Sequence, residues 1–171
     1  MALALAAIYG AIVYISPVAK AVDAPLATPS GKVILTIDGN IGVVNAGTAA
    51  DFDRKMLESL PQRELVVTTP WTDGKVAFSG PLLIDVLETV GAQDAVTLTA
   101  TALNDYSVEI PADHVRKYEV ILAMTMNGKT LRIRDRGPLW IIYPWTDENP
   151  ELRDAVNLSR SVWQLRKISV K

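Results

Sequence analysis

The sequence predicts an α+β fold in a single domain. Three observations support this prediction: short apolar stretches typical of strands recur along the chain, only a few helical patterns lie between them, and no internal repeat or second-domain boundary is visible. Strands that do not alternate regularly with helices favour α+β over a doubly wound sheet. The 171 residues are enough for one domain with a buried core.

The first residues have the pattern of an export signal. Residues 2–19 carry no charge, and Ala19-Lys20-Ala21 has the small-x-small pattern of a signal-peptidase site. We therefore expect a signal peptide at 1–21 and a periplasmic protein, followed by a flexible tether at 22–31 and the domain at 32–171. The alternative is an uncleaved anchor, because such a stretch is of borderline length for a membrane span.

Periodicity and turn residues predict the elements of the domain. Strands are predicted at residues 32–38, 64–69, 96–102, 108–110, 120–126, 139–143 and 163–170. A helix is predicted at 48–60, capped by Thr48 and stopped by Pro61, and a second helix from Pro81 to a cap at Gly91. Shorter helical turns are predicted at 111–118 and 146–157.

A hairpin and a cluster of arginines are predicted around residue 130. Asn127-Gly128 is the dipeptide that a tight hairpin prefers, because both turn residues take positive φ. The arginines that follow alternate with other residues, so we expect them on one face of a strand ended by Gly137-Pro138. They are Arg132, Arg134 and Arg136.

Composition removes several classes of function. The formal net charge is −2 and no basic face is concentrated, so we expect no nucleic-acid partner. There is no cysteine and one histidine, His114, which argues against a metal site built from thiolates or imidazoles. His114 lies in a charged helical turn and is predicted to be a surface residue. No catalytic constellation is visible, so the prediction leans away from an enzyme.

Aromatic and charged residues near predicted strand ends and loops form a candidate binding site. The candidates are Trp71, Asp105, Tyr106, Arg136, Trp145, Arg160 and Trp163. Aromatic rings can stack on a planar heterocycle, and a carboxylate can accept paired hydrogen bonds from its amino-pyrimidinone edge. Each residue also has a simpler interpretation: the tryptophans as core lids, the arginines in surface ion pairs, and Asp105 as a turn residue.

Six blocks in order resemble the molybdopterin-binding domain of the sulfite oxidase family. They are residues 65–72, 78–87, 104–111, 121–131, 136–144 and 162–168. The resemblance covers roughly residues 32–171 and implies that family's mixed-sheet α+β fold, with a pterin pocket at its centre.

The chain departs from that family at the metal ligand. The family's molybdenum-ligating cysteine corresponds to Val67, or to a neighbour up to Thr69, and no cysteine exists elsewhere. Because valine cannot donate to a metal, we do not expect a molybdenum cofactor. The sequence resembles instead a small periplasmic, cysteine-free branch, which implies a reduced pterin as ligand.

That branch also implies a role and a set of pocket residues. Its members signal by docking on the periplasmic region of a membrane-bound cyclic-di-GMP enzyme. Carried over, the pocket would use Trp71, Asp105, Tyr106, Arg136 and the block around Arg160 and Trp163, while Trp145 is added from position alone. Two alternatives remain: an oxidoreductase whose molybdenum is held only by the cofactor's dithiolene, and a structural subunit that binds nothing.

Overall fold

A computed structural model describes residues 25–171 of the chain. The strands are β1 (Val33–Gly39), β2 (Ala50–Asp53), β3 (Gln62–Thr68), β4 (Lys75–Pro81), β5 (Thr97–Ala102), β6 (Ser107–Pro111), β7 (Ile121–Ala123), β8 (Thr125–Met126), β9 (Lys129–Thr130), β10 (Trp140–Ile142) and β11 (Leu165–Val170). The helices are α1 (Arg54–Glu58), α2 (Leu83–Thr89), α3 (Ala112–Lys117) and α4 (Ala155–Ser159), with 3-10 turns at Ile133–Asp135 and Pro150–Arg153. The predicted signal peptide and the start of the tether lie outside the described residues. Within 25–171, none of the helices has the length and apolarity to cross a bilayer.

The strands form one mixed sheet, one antiparallel sheet and a pair. The mixed sheet has the order β2-β1-β11-β5-β6, in which β1 and β11 are parallel and the other neighbours antiparallel. The antiparallel sheet has the order β3-β4-β8-β9, and β7 pairs with β10. Four short helices accompany these strands. The prediction of a mixed-sheet α+β fold is confirmed.

The core is made by the strands that the sequence marked as apolar. In β5 the burial alternates, with Leu98 and Ala100 buried between half-buried threonines, as one covered face requires. In β7 and β10 every side chain is buried, because both faces of this pair are covered. The buried pair β7–β10 carries one of the aromatic residues described below, Trp140.

The predicted helix at 48–60 is only partly present. Residues Ala50–Asp53 form β2, which pairs with β1 and buries Phe52, and the helix begins at Arg54. Asp53, not Thr48, is the N-cap, since its Oδ1 accepts a hydrogen bond from the Met56 N–H at 2.9 Å. The spacing of four residues between Phe52, Met56 and Leu60 suits a helix, but residues 50–53 form a strand because they pair with β1.

The predicted start of the second helix is also wrong. Residues up to Pro81 belong to β4, and α2 begins at Leu83. Gly80 explains the strand, because a Cβ there would lie 1.9 Å from the Leu122 carbonyl oxygen of β7. Gly80 therefore allows the backbones of β4 and β7 to approach closely, and α2 begins only after this strand. The cap at Gly91 is confirmed by its positive φ of 67°.

The hairpin at Asn127-Gly128 is confirmed, but the arginine strand is not. Both turn residues have positive φ, 48° and 70°, and Met126 pairs with Lys129. The strand ends at Thr130, and a 3-10 turn follows in which the Asp135 N–H donates to the Arg132 carbonyl at 2.8 Å. The three arginines therefore lie on a curved segment and do not share one strand face. Leu131 is buried, and its N–H still donates to the Met124 carbonyl at 2.9 Å, so the chain leaves the hairpin only after this residue.

Candidate functional site

A cavity of about 250 Å³ opens between three segments of the chain. One wall is the loop after β3, the second is the turn that joins β5 to β6, and the third is the chain from the end of α4 to the start of β11. We call it the aromatic cavity. Its lining residues are Trp71, Ala102, Asn104, Tyr106, Leu158, Ser159, Ser161, Val162 and Trp163.

All four tryptophans of the chain meet behind and beside this cavity. The Trp71 ring centroid lies 5.5 Å from that of Trp163, 5.8 Å from that of Trp145 and 6.0 Å from that of Trp140. Such tilted and edge-to-face contacts are the favourable geometries of aromatic pairs. Residues spread over almost one hundred positions of sequence thus form one cluster.

Two of the four tryptophans belong to the core. Trp140 is fully buried on β10, and its Nε1–H donates to Ser161 Oγ at 2.9 Å. Trp145 is 2% exposed, and its Nε1–H donates to the Leu152 carbonyl at 3.0 Å. With their indole N–H groups satisfied inside the protein, these two rings hold the cluster in place.

The other two tryptophans form walls of the cavity. Trp71 and Trp163 are half-buried and meet at an interplanar angle of 86°. The Trp71 loop is held by Thr69, whose Oγ1 accepts the Trp71 N–H at 3.1 Å and lies 2.9 Å from Thr72 Oγ1. Trp163 is anchored by an isolated backbone bridge to Trp140. The two exposed faces can therefore receive a flat ligand without a change in the core.

Tyr106 closes the cavity across its mouth. Its hydroxyl donates to the Ser159 carbonyl at 2.9 Å and joins the second wall to the third. The turn is held by Asn104, whose Oδ1 accepts the Tyr106 N–H at 3.2 Å. Asp105 has a positive φ of 63°, as the predicted turn requires, but it is absent from the lining. Its carboxylate pairs with Arg166.

The two predicted arginines and Trp145 lie around the cavity, not in its lining. The Arg136 guanidinium carbon lies 5.4 Å from the Trp140 ring centroid and 5.5 Å from that of Trp163, within cation–π range. Arg160 donates to Asn157 Oδ1 at 2.6 Å. Trp145 lies behind Trp71 and lines a separate cavity with Pro70 and Arg153.

The sequence did not single out several residues of this site. They are Ala102, Asn104, Leu158, Ser159, Ser161, Val162 and, as the partner of Asp105, Arg166. Asn104 has a signal in the sequence, since it opens the Asn-Asp-Tyr turn. The small residues of the third wall have none, because their place depends on how the end of α4 packs beside Trp71.

His114 and Tyr143 lie on the far side of the cluster. The His114 ring centroid is 6.3 Å from that of Tyr143, which is 6.2 Å from that of Trp145. Burial lowers the pKa of His114, the charges of Arg160 and Lys117 lower it further, and Asp113 and Asp154 act in the opposite direction. Burial also raises the pKa of the Tyr143 phenol. The histidine predicted at the surface is half-buried.

The chemistry of the lining is that of a binding site. Its polar groups are two serine hydroxyls, the Asn104 amide and the Tyr106 phenol, and its walls are indole rings. The described lining contains no histidine, lysine, arginine or carboxylate side chain. The arrangement can stack a flat ring and donate or accept a few hydrogen bonds, and it contains no nucleophile paired with a base.

Comparison with known proteins identifies the family. Residues 47–147, more than half of the chain, match the family model described as oxidoreductase molybdopterin binding domain. The chain therefore belongs to the oxidoreductase molybdopterin-binding domain family, the sulfite oxidase-like family that the sequence resembles. None of the curated proteins compared with the chain matches it.

A solved structure supports the fold. The chain is similar to the crystal structure of the sulfane dehydrogenase SoxCD from Paracoccus pantotrophus, with a TM-score of 0.57 and 18% identity. The match covers 80% of this chain and 37% of that chain. The chain thus spans well under half the length of this neighbour, and at this identity the likeness shows the fold alone.

The residues of the site fit the pterin part of the family's cofactor better than its metal. The indole walls suit a flat bicyclic ring, and the family's usual thiolate ligand to molybdenum is absent from this chain. Val67 is an apolar, buried residue of β3, and the Thr69 hydroxyl already accepts the Trp71 N–H. Within residues 25–171, histidine and carboxylate side chains form no cluster able to hold a metal ion. We therefore derive no reaction step through a metal.

Proposed function

We propose that this protein binds a reduced pterin in the aromatic cavity after export to the periplasm. We further propose that it acts there as a ligand sensor, regulating a membrane-bound cyclic-di-GMP enzyme through protein contact. The observation that carries the proposal is the cavity itself: two half-buried indole rings face it, and no protein thiolate is present for a metal. Membership of the molybdopterin-binding domain family supports a pterin-type ligand.

The size and walls of the cavity favour a small, flat ligand. Its volume of about 250 Å³ lies below the range of about 300–1,000 Å³ typical of sites for drug-sized molecules. Trp71 and Trp163 meet edge to face at 5.5 Å, so a pterin ring would stack on the open face of one of these indoles. The Asn104 amide and Ser159 hydroxyl lie in the lining as hydrogen-bonding groups for its polar edge. The nearby charge of Arg136, on the Trp163 ring, would favour an electron-rich ligand.

A sensor needs a ligand-dependent change in its surface. Ligand binding can shift a partner contact only if the loaded and empty states differ in free energy at that contact. Two walls of the cavity reach the surface: Tyr106 is 45% exposed and Ser159 is exposed. A ligand that orders these walls would therefore also order residues available to a partner.

The test is the ligand that the protein carries from its native compartment. The protein would be exported, purified from the periplasm and denatured, and the released small molecules would be oxidised and examined by fluorescence and mass. Molybdenum would be measured on the same sample. A simple pterin without metal is the expected result. If the protein carries neither pterin nor metal and cannot be reloaded with reduced pterins, the remaining interpretation is a structural subunit that binds nothing.

A second function has its own support. The family is described as a domain of oxidoreductases, and the similar solved structure is a sulfane dehydrogenase. In an oxidoreductase the full cofactor would supply redox chemistry at molybdenum, held by its own dithiolene, and this chain would bind and shield the pterin. About one molybdenum per chain in the same sample would establish this alternative and overturn the sensor.

A further inference from the structure

A second concavity of about 480 Å³ lies on the surface next to the aromatic cavity. We call it the basic groove. It is lined by parts of β1 and β11, by the 131–138 segment and by Leu103 of the β5–β6 turn. No described residue lines both concavities, but Leu103 belongs to the same β5–β6 turn as Asn104 and Tyr106 of the aromatic cavity.

The floor of the basic groove is apolar and exposed. Val33 is 39% exposed, Leu103 43% and Ile133 52%, and all three line the groove. Large apolar side chains that converge in one concavity mark an interaction site more often than scattered ones do.

The rim of the basic groove is cationic. Lys32, Arg132, Arg166 and Lys167 line it, and no described lining residue carries a carboxylate. Three of these cations pair with carboxylates of the neighbouring surface: Arg132 Nε with Asp135 Oδ2 at 2.7 Å, Lys167 Nζ with Asp38 Oδ2 at 2.7 Å, and Arg166 with Asp105. Exposed ion pairs are weak, so these cations can share or exchange their partners for carboxylates of a bound segment.

Hydrogen bonds connect the basic groove to the aromatic cavity. Arg166 Nε donates to the Ala102 carbonyl at 3.0 Å, and its guanidinium holds Asp105, so it fixes the turn that carries Tyr106. On the other side, Gln164 Nε2 donates to the Ile133 carbonyl at 2.8 Å. Gln164 lies next to Trp163 in the chain, and its N–H donates to the Arg136 carbonyl at 2.8 Å. A segment bound in the groove would touch residues that hold two walls of the cavity.

We propose that the basic groove docks a segment of the partner protein in which apolar residues are interspersed with aspartate or glutamate. This inference rests on the proposed function and names the surface through which it acts. Complementary charge selects the acidic segment, and the exposed apolar floor gives it side-chain contacts that a free anion lacks. Because Arg166 serves both the groove and the β5–β6 turn, a partner carboxylate on Arg166 couples docking to the ligand state of the aromatic cavity.

The test uses a short fluorescent peptide of alternating leucine and glutamate, and a matched peptide with lysine in place of glutamate. Binding of each peptide to the exported protein is measured by fluorescence anisotropy, and backbone NMR shifts show where the peptide binds. We expect the acidic peptide alone to bind, to move the signals of the groove residues, and to lose affinity when salt screens the rim.

Two groove variants and one matched control make the test specific. Arg132→Glu reverses a rim charge, and Ile133→Asp removes an exposed apolar contact. Each should weaken the acidic peptide by roughly tenfold or more. Arg63→Glu reverses a similarly exposed arginine on β3, far along the chain and outside the groove, and should change affinity by less than about twofold.

The outcomes separate this proposal from the proposed function. Pterin affinity is measured on every variant by calorimetry: binding of pterin without binding of the acidic peptide overturns the groove alone, whereas binding of the peptide without any pterin overturns the sensor alone. Equal peptide affinity in the loaded and empty states overturns the coupling. Binding of anionic vesicles in place of the peptide, or a dimer that Ile133→Asp dissolves, would overturn the partner and assign the groove to a membrane surface or a second copy.

Discussion

The two pairs of tryptophans in this protein use the same side chain for different purposes. Trp140 and Trp145 are buried, and their indole N–H groups are bonded to Ser161 and to the Leu152 carbonyl. Trp71 and Trp163 are half-buried and leave ring faces open to the aromatic cavity. The difference is whether the indole N–H and both ring faces are satisfied inside the protein.

This contrast shows how a binding site can be built on a rigid support. The buried rings contact the half-buried ones in tilted or edge-to-face geometry, which fixes the positions of the two rings that line the cavity. A pre-formed site loses less entropy on binding than one that must be ordered by its ligand. We therefore expect substitutions in the first pair to change stability and those in the second pair to change ligand affinity.

The largest expected effect is on stability, from Trp140→Ala. Removing a fully buried tryptophan should lower the free energy of unfolding by about 3–5 kcal/mol, because it leaves a cavity and strips Ser161 of a donor. Urea unfolding followed by circular dichroism measures this. Stability equal to that of the parent protein would contradict the assignment of Trp140 to the core.

Trp163→Ala should mainly weaken the ligand. Loss of one stacking face costs about 1–3 kcal/mol, which corresponds to a reduction in pterin affinity of roughly 5- to 150-fold. Calorimetric titration with a reduced pterin measures it, and urea unfolding of the same variant should show a smaller change than Trp140→Ala. Unchanged affinity would remove Trp163 from the site and erase the distinction between the two pairs.

Tyr106→Phe should sharpen the comparison with a smaller effect. It keeps the ring but removes the hydroxyl that donates to the Ser159 carbonyl across the mouth of the cavity. The loss of one exposed hydrogen bond should weaken the ligand by roughly two- to tenfold, chiefly through faster release. Stopped-flow dissociation measures the rate, and Tyr118→Phe, which alters a tyrosine outside the cavity lining, serves as the control.

The smallest expected effect is the dependence of stability on pH that His114 contributes from the buried side of the tryptophan cluster. Burial and neighbouring cations lower the pKa of His114 in the folded protein. As the pH falls below the ordinary value of about 6.5, the unfolded chain therefore binds more protons than the folded protein does. The stabilising contribution is therefore fully present above that value and is lost as pH falls through the folded pKa. Urea unfolding between about pH 5.5 and 7.5 should show this slope.

His114→Gln provides the control for the pH prediction. This variant cannot titrate, so its slope of stability against pH should be shallower than that of the parent protein over the same interval. Pterin affinity should be unchanged in this variant, because His114 lies behind Tyr143 and outside the cavity lining. A variant that keeps the full slope would place the responsible proton on another group.

Much of the fold follows from local pattern. Alternating or continuous apolar runs predicted β1, β3, β5, β10 and β11 with small errors at their ends, and Asn127-Gly128 predicted its hairpin. The single strand predicted at 120–126 is instead divided into β7 and β8, which belong to different sheets. The predicted helix starts were wrong where a segment pairs with or packs against another strand. Residues 50–53 pair with β1 and are a strand, and Gly80 lies in β4 because β7 approaches its backbone closely.

By itself the sequence determined the fold class, the family and the kind of chemistry available. Six ordered blocks carry the family, and the absence of cysteine removes a thiolate whatever the chain's conformation. Only the tertiary structure decided which tryptophans line a cavity and that Asp105 pairs with Arg166. Local sequence sets a residue's chemistry and backbone preference, whereas its burial and partners depend on segments distant in the chain, which only the folded packing brings together.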